Sequence, residues 1–438
     1  MDRRSFLGLT GTMPFLGFEN FINELSSFTT LDRSKNISLR KDPNKIIDLH
    51  RSLKYKLIST KGSPMTDGFK VPHLADGMGA FNVNGDVVLV RNHELIPRDG
   101  MLNGAFDDPS SQIKDLGSRH YDPIAIGGTT TIVLDKKTKR VKKEFLSLSG
   151  TRNNCAGGIT PWNTWLSCEE DINKKNSWRK SHGYVFEVDP AKPDLSTPVP
   201  LKSLGRFMHE AVAFDKYGNA YLTEDRSEGL IYKFIPKKKG SLIEGDLFAL
   251  KVENIEDSRN WDQKLMKTKK AYRVSWIKVD DVDPEEDTMR FDLAAKGATP
   301  FARPEGITSN QASIYVTCTS GGKLNKGQIF KLNFQSQNNT TIELWLESEK
   351  DDQINMPDNV TIAPWGDLIV CEDNSKINRL WGFNQKGGSY LIAENSYTGS
   401  EFAGVCFSPL DNTMYVNLQY NGMTLTIDGN WKKLRRYN

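Results

Sequence analysis

The chain has 438 residues, and its 58 lysines and arginines nearly balance 55 aspartates and glutamates, leaving a formal net charge of +3. That balance supplies no broad basic field, which argues against nucleic acid as a partner. A hydrophobic share of 37% can build a large core, yet no apolar run reaches the ~18 residues that a membrane span needs.

The chain opens Met1-Asp2-Arg3-Arg4-Ser5-Phe6-Leu7, a start that resembles a twin-arginine export signal. Residues 1–30 therefore read as a signal segment, and the mature protein as periplasmic or secreted. Residues 31–68 carry no sustained hydrophobic period and read as an N-terminal extension. From 69 to 438, short runs of Val, Ile, Leu, Tyr, Phe and Trp alternate with Gly, Asn, Asp and Pro, the pattern of antiparallel β-structure in one domain. Strands are predicted at 86–90, 130–134, 184–188, 231–235, 328–332 and 379–383. The lysines at 237–239 and 264–270 fit a solvated insertion.

One phrase recurs along this region: a ligand-type residue, a loop, then a short strand ending in small and acidic residues. Its copies start at Cys155, Glu210, Glu305, Asp358 and Ala403, and a poorer copy runs from Asp76 to Glu94. Thirteen residues after each clear start lie Cys168, Thr223, Cys318, Cys371 and Val416. The strand residues Trp165, Tyr221, Tyr315, Leu368 and Tyr415, read as belonging to innermost strands, are separated by 56, 94, 53 and 47 positions. Four short strands and their turns take about 40–50 residues. The spacing thus predicts an all-β propeller, six-bladed, with a mixed insertion near 240–300. An N-terminal strand is expected to close the C-terminal blade.

Five cysteines form no C-x-x-C pair. Cys168, Cys318 and Cys371 share one repeat position and read as small buried fillers. Cys155 stands instead in the column that elsewhere holds carboxylates. Equivalent positions of a propeller converge, so Cys155, Glu210, Glu305 and Asp358 are expected to form a ring, with Asp76 as a further member. Carboxylates so close repel one another, and cations relieve that repulsion. Oxygen ligands suit Ca²⁺, while a thiolate among them points to a transition metal. A second acidic set, Glu169, Glu170, Glu224, Asp225, Glu372 and Asp373, offers either further ligands or turn carboxylates bound to basic neighbours. Arg303 can pair with Glu305 or clamp a phosphate or carboxylate. His93 and His209, each next to a glutamate, suit a supporting role that orients a ligand. No G-x-S-x-G, H-E-x-x-H or P-loop is present, and the acidic run 280–287 lacks the glycine and spacing of an EF-hand.

Several phrases together resemble the PhoX family of bacterial alkaline phosphatases. They are Cys-Ala-Gly-Gly-Ile-Thr-Pro-Trp with Thr-Trp-Leu-Ser-Cys-Glu-Glu (155–170), Gly-Arg-Phe-Met-His-Glu (205–210) and Tyr-Leu-Thr-Glu-Asp-Arg (221–226). Ala-Arg-Pro-Glu-Gly (302–306), Asp-Asn with Pro-Trp-Gly (358–366), Glu-Phe-Ala-Gly (401–404) and Asn92-His93-Glu94 complete the set. The resemblance implies a six-bladed propeller that hydrolyses phosphate monoesters at a cluster of Fe³⁺ and Ca²⁺. By motif, Cys155 looks like the iron-binding cysteine, and Glu210 and Glu305 like iron or bridging carboxylates. Glu169, Asp358 and some of Asn92, Glu94 and Asp225 look like calcium ligands. Arg303 resembles the arginine that contacts phosphate, so Arg303, Glu305 and Cys155 are the expected catalytic residues. Asn163 replaces a glycine often found in the family's Pro-Trp-Gly-Thr-Trp stretch.

The competing readings are a calcium-dependent propeller hydrolase of the lactonase or arylesterase type, which has no need of a thiolate, and a non-catalytic propeller in which calcium is only structural. A monomer acting on small phosphate monoesters is the leading expectation.

Overall fold

The computed structural model describes residues 39–96, 99–172, 179–337, 339–350, 353–386 and 388–435. The expected export signal lies outside the described residues. The regular structure of the described residues is mainly antiparallel strand in a propeller-like arrangement, with three short α-helices at Pro109–Leu116, Met289–Ala295 and Trp431–Arg435. No described helix is long and apolar enough to cross a membrane.

The strands follow one another as meanders. The first runs Ala75–Val83, Asp86–His93, Gly127–Leu134 and Val141–Thr151, and the second Asn154–Ile159, Trp165–Glu169 and Val185–Val188. The third is His209–Phe214, Ala220–Glu224, Ile231–Pro236 and Gly245–Val252, and the fourth Pro304–Ser309, Ser313–Cys318, Gln328–Ser336 and Asn339–Glu347. The strand Ala271–Lys278 pairs with the last strands of both, merging the third and fourth meanders into one nine-stranded sheet. The fifth is Pro357–Ile362, Leu368–Glu372, Asn378–Phe383 and Ser389–Asn395, and the sixth Phe402–Phe407, Met414–Leu418 and Met423–Gly429. The sixth gains its outer strand from Leu53–Thr60, which pairs with Met423–Gly429 across the ends of the chain. The first strands of the meanders are neighbours in the closed order one, two, three, four, five, six, one.

Each sheet is covered by its neighbours on both faces, so its second strand reads as an unbroken buried run, as in Trp165–Glu169 and Leu368–Glu372. Asn84 and Gly85, both at positive φ, form the two-residue turn of the first hairpin. Asn163 adopts φ 69, so it meets the left-handed turn that glycine would otherwise supply.

Three expectations change. Trp165, Tyr221, Tyr315, Leu368 and Tyr415 lie on second strands, and the strands that meet at the centre are the ones before them, which carry the ligand column itself. The insertion begins after Val252, because Gly245–Val252 is a regular outer strand. The stretch assigned to an extension supplies Asp48–Leu49 to the fifth meander and contains Leu53–Thr60, the N-terminal strand expected to close the C-terminal blade.

Candidate metal centre

Asp76, Cys155, Glu210, Glu305, Asp358 and Ala403 each occupy the second position of a first strand. The pairing register shifts just there in every meander, between Ala75 and Met78, Asn154 and Gly157, His209 and Val212, Pro304 and Ile307, Pro357 and Val360, and Ala403 and Cys406. A bulge re-aims the side chain beside it, which frees this position from the alternation of the sheet. The next residue is small in five of the six meanders, Asn359 being the exception, because strands crowd the centre. A Cβ on Gly77 would lie 2.5 Å from the Ala156 backbone, and one on Gly306 would lie 2.3 Å from the Asp358 carbonyl. Threonines fix the ligand backbone from next door: Thr223 Oγ1 donates to the Glu305 carbonyl at 2.5 Å, and Thr317 Oγ1 to that of Asp358 at 2.6 Å.

The column converges as the repeat predicts. Cys155 Sγ and carboxylate oxygens of Glu170 and Glu210 lie within 4.8 Å of one another, and all three residues are buried. A second group, Asp358, Asp373 and Glu401, meets the same spacing. Electrostatics join the two. Burial pushes Glu210 well above the usual carboxylate range, and Asp358, Asp225, Asp76 and Glu94 push it further. Burial likewise raises Asp76, aided by Glu94 and Asp358, and raises Glu401, aided by Asp373, Asp358 and Asp76. Asp358 is pushed up to about 6, chiefly by burial. The Cys155 thiol is raised by burial and then by Glu210 and Glu170. A site that forces protons onto its acids when no cation is present is one that cations fit. The buried Glu401 Oε2, which has no hydrogen-bond donor, fits the same reading.

Arg303 sits at the edge of this ring with a left-handed backbone, φ 52. Its Nε and Nη2 donate to the two oxygens of Asp225, both at 2.8 Å, and Nη2 also bonds Glu305. Burial pushes Glu305 well up, Arg303 draws it partly back, and Asp358, Asp225 and Glu210 raise it again. Glu94 accepts from Asn153 Nδ2 at 3.2 Å and from Gln419 Nε2 at 2.6 Å, and Gln419 Nε2 also donates to Asp76 at 2.9 Å.

Two expected ligands direct their side chains to protein partners. Glu169 faces into its own sheet, where it accepts from the Arg152, Gly183 and Tyr184 N–H groups and from His182 Nδ1 at 2.7 Å. Successive strand residues face opposite ways, so it is Glu170 that reaches Cys155. Glu224 and Glu372 likewise serve their own sheets, bonded to Tyr232 and Trp381. Asn92 spends its amide between meanders: Nδ2 donates to the Cys155 and Ala156 carbonyls, and Oδ1 accepts from Trp165 Nε1 at 2.9 Å. Glu401, Asn153 and Gln419 were not singled out from the sequence. The signal for Glu401 was its place two residues before Ala403, the offset at which Arg303 precedes Glu305. The other fillers behave as expected: Cys168, Cys318 and Cys371 are fully buried free thiols.

A family model described as "Alkaline phosphatase PhoX" matches residues 34–144 and 136–422. Among solved structures, PhoX from Pseudomonas fluorescens in complex with vanadate, a transition state analogue, superposes with TM-score 0.67 at 18% identity, covering 88% of this chain and 96% of that one. A gluconolactonase from Xanthomonas campestris aligns over 85% of this chain and 97% of its own, with TM-score 0.45 and 7% identity. Virginiamycin B lyase from Staphylococcus aureus, a catalytically inactive form with quinupristin, aligns over 86% and 99%, with TM-score 0.40 and 11% identity. A search of curated protein sequences returns no match. With the family model spanning most of its length, the chain belongs to the PhoX family of alkaline phosphatases.

Proposed function

We propose that this enzyme, a phosphatase of phosphate monoesters, works as a six-bladed propeller, each meander being a blade, with a mixed iron and calcium cluster at its centre. The observation that carries the reading is the meeting of one thiol, Cys155, with Glu170 and Glu210 beside a second all-oxygen group, Asp358, Asp373 and Glu401. The soft ligand suits iron and the hard set suits calcium. Cys155, Glu210 and Glu170 would hold iron, with Glu305 beside them. Asp358, Asp373 and Glu401 would hold one calcium ion, and Asp76 and Glu94 would hold a further one. When bound, such cations neutralise phosphoryl charge and polarise phosphoryl oxygens.

The chain's own residues do the rest. Arg303, aimed by its paired bonds to Asp225, is placed to contact phosphoryl oxygens and to stabilise charge that spreads over them as the ester bond breaks. Burial of the ring in the sheet centre lowers the local dielectric, which strengthens each of these contacts. Export through the twin-arginine pathway and a monomeric state belong to the same proposal, since that pathway carries folded, metal-loaded proteins.

The test combines elemental analysis of the purified protein with p-nitrophenyl phosphate hydrolysis before and after chelation. Iron and calcium should both co-purify, and chelation should abolish turnover. Full activity without iron would remove the mixed cluster, and a metal-replete protein that leaves the ester intact would remove the phosphatase reading.

A further inference from the structure

The carboxylates of the ring are bridged in two chemically different ways. On one side, Arg303 joins Asp225 and Glu305 through a guanidinium, which cancels one of their charges. On the other, the bridges are neutral amides. Gln419 Nε2, from the turn after the second strand of the sixth meander, donates to Asp76 Oδ2 at 2.9 Å and to Glu94 Oε2 at 2.6 Å. Asn153 Nδ2 donates to Glu94 Oε1 at 3.2 Å and to Glu170 Oε2 at 3.0 Å. The sequence Asp76, Gln419, Glu94, Asn153, Glu170 therefore forms one hydrogen-bonded arc through the sixth, first and second meanders.

Asn153 is built in firmly. Its backbone takes φ 44, its N–H donates to the Leu95 carbonyl at 3.0 Å, and its carbonyl accepts from the Glu170 N–H at 3.0 Å. Asparagine tolerates that left-handed conformation better than most residues. Both oxygens of Glu94 are thus fixed by different amides, which leaves the carboxylate one orientation.

We propose that Asn153 and Gln419 are positioning residues that set the cation-binding side of the centre, while Arg303 marks the phosphate-binding side. The physical reason lies in charge. An amide supplies two donors and spaces two carboxylates without neutralising either, so the arc keeps its full attraction for a divalent cation. A lysine or arginine would hold the same geometry but discharge it. The inference rests on the metalloenzyme reading above.

Calorimetric titration of chelator-treated protein with calcium chloride tests it, using Gln419→Met and Asn153→Gly, the latter keeping the backbone conformation. Both variants should melt, metal-free, within a few degrees of the wild type. Both should bind the calcium ion held by Asp76 and Glu94 about 10–100-fold more weakly. Their turnover of p-nitrophenyl phosphate should be low at limiting calcium and return at saturating calcium, a rescue that a general packing defect would not show. A folded variant pair with wild-type calcium affinity would overturn the assignment, and Asn153→Gly alone decides the matter should Gln419→Met not fold. Wild-type protein that takes up no calcium would instead overturn the metalloenzyme reading, and this inference with it.

Discussion

At the residue scale the informative contrast is between Cys155 and the three other cysteines of the repeat. Cys155 Sγ lies 3.2 Å from the His209 carbonyl, as a protonated thiol would, because burial and two nearby glutamates hold its pKa up. A cation reverses that balance by favouring the thiolate. Cys155→Ser should therefore lose most bound iron and cut turnover by about 10–100-fold or more, the range for disturbed ligation. Cys168→Ser, a change at a filler position, should leave the iron content intact. Metal analysis of both purified variants checks this, and equal iron in the two would remove the distinction. His182 offers a second residue-level test. Burial alone would lower its pKa, but Glu169 and Asp122 outweigh that and hold it at about 9. Its contribution is fully present below the unfolded value near 6.5 and is lost as pH rises through about 9. A shift of that size corresponds to roughly 3 kcal/mol. The stability gap between wild type and His182→Gln should thus be widest below pH 6.5 and close toward pH 10 in urea unfolding. A gap independent of pH would mean that His182 acts by packing alone. The column itself was legible because repeats place one residue type at one position. Glu169 and Glu170 were not separable, since adjacent acids at a strand end differ only in which face they take, and the bulge decides that.

At the element scale, the strand that closes the propeller is held by a buried cation. Arg91, fully buried, donates to Ser59 Oγ at 3.0 Å, Thr424 Oγ1 at 2.6 Å, Thr130 Oγ1 at 2.9 Å and Glu144 Oε1 at 2.9 Å. Ser59 belongs to the N-terminal strand Leu53–Thr60 and Thr424 to Met423–Gly429, so one guanidinium pins both ends of the chain to the first meander. Arg91→Met should destabilise the protein by about 3–5 kcal/mol, because Glu144 would be left buried without its partner. Adding Glu144→Leu should recover part of that loss, since the stranded charge is then gone. Denaturant midpoints of the single and double variants measure it, and a double variant no more stable than Arg91→Met would place the cost in packing. The expectation that an N-terminal strand closes the last blade matches Leu53–Thr60. The sequence did not indicate Arg91, whose partners lie on strands that are distant in the chain. The same holds for Gln419, which looks like an ordinary turn residue until the sixth and first meanders meet.

At the scale of the whole molecule, the centre sets a conflict between folding and function. Closing the ring brings Asp76, Glu210, Glu305, Asp358 and Glu401 into range of one another, and burial raises each of them. Repulsion from other ring carboxylates adds for Asp76, Glu210, Glu305 and Glu401, and from Asp373 for Asp358. The sign follows from linkage. A carboxyl group whose folded pKa is raised binds its proton more tightly when folded, so its contribution is intact below about pH 4 and turns unfavourable as pH rises through the folded value, about 6 for Asp358. Metal-free protein should lose stability across that range and above it. Calcium-replete protein should not, because bound cations favour the ionised form and stabilise the fold by mass action. Other titrating groups, including the buried histidines, act in both samples and cancel in the comparison. The melting temperature of chelated protein, subtracted from that of calcium-replete protein, should be near zero at about pH 4 and grow steadily toward pH 8. Differential scanning calorimetry at matched ionic strength reads this directly. A difference that stays flat with pH would mean that the cations bind away from the ring, and that the carboxylates carried by the repeated phrase are not what hold them.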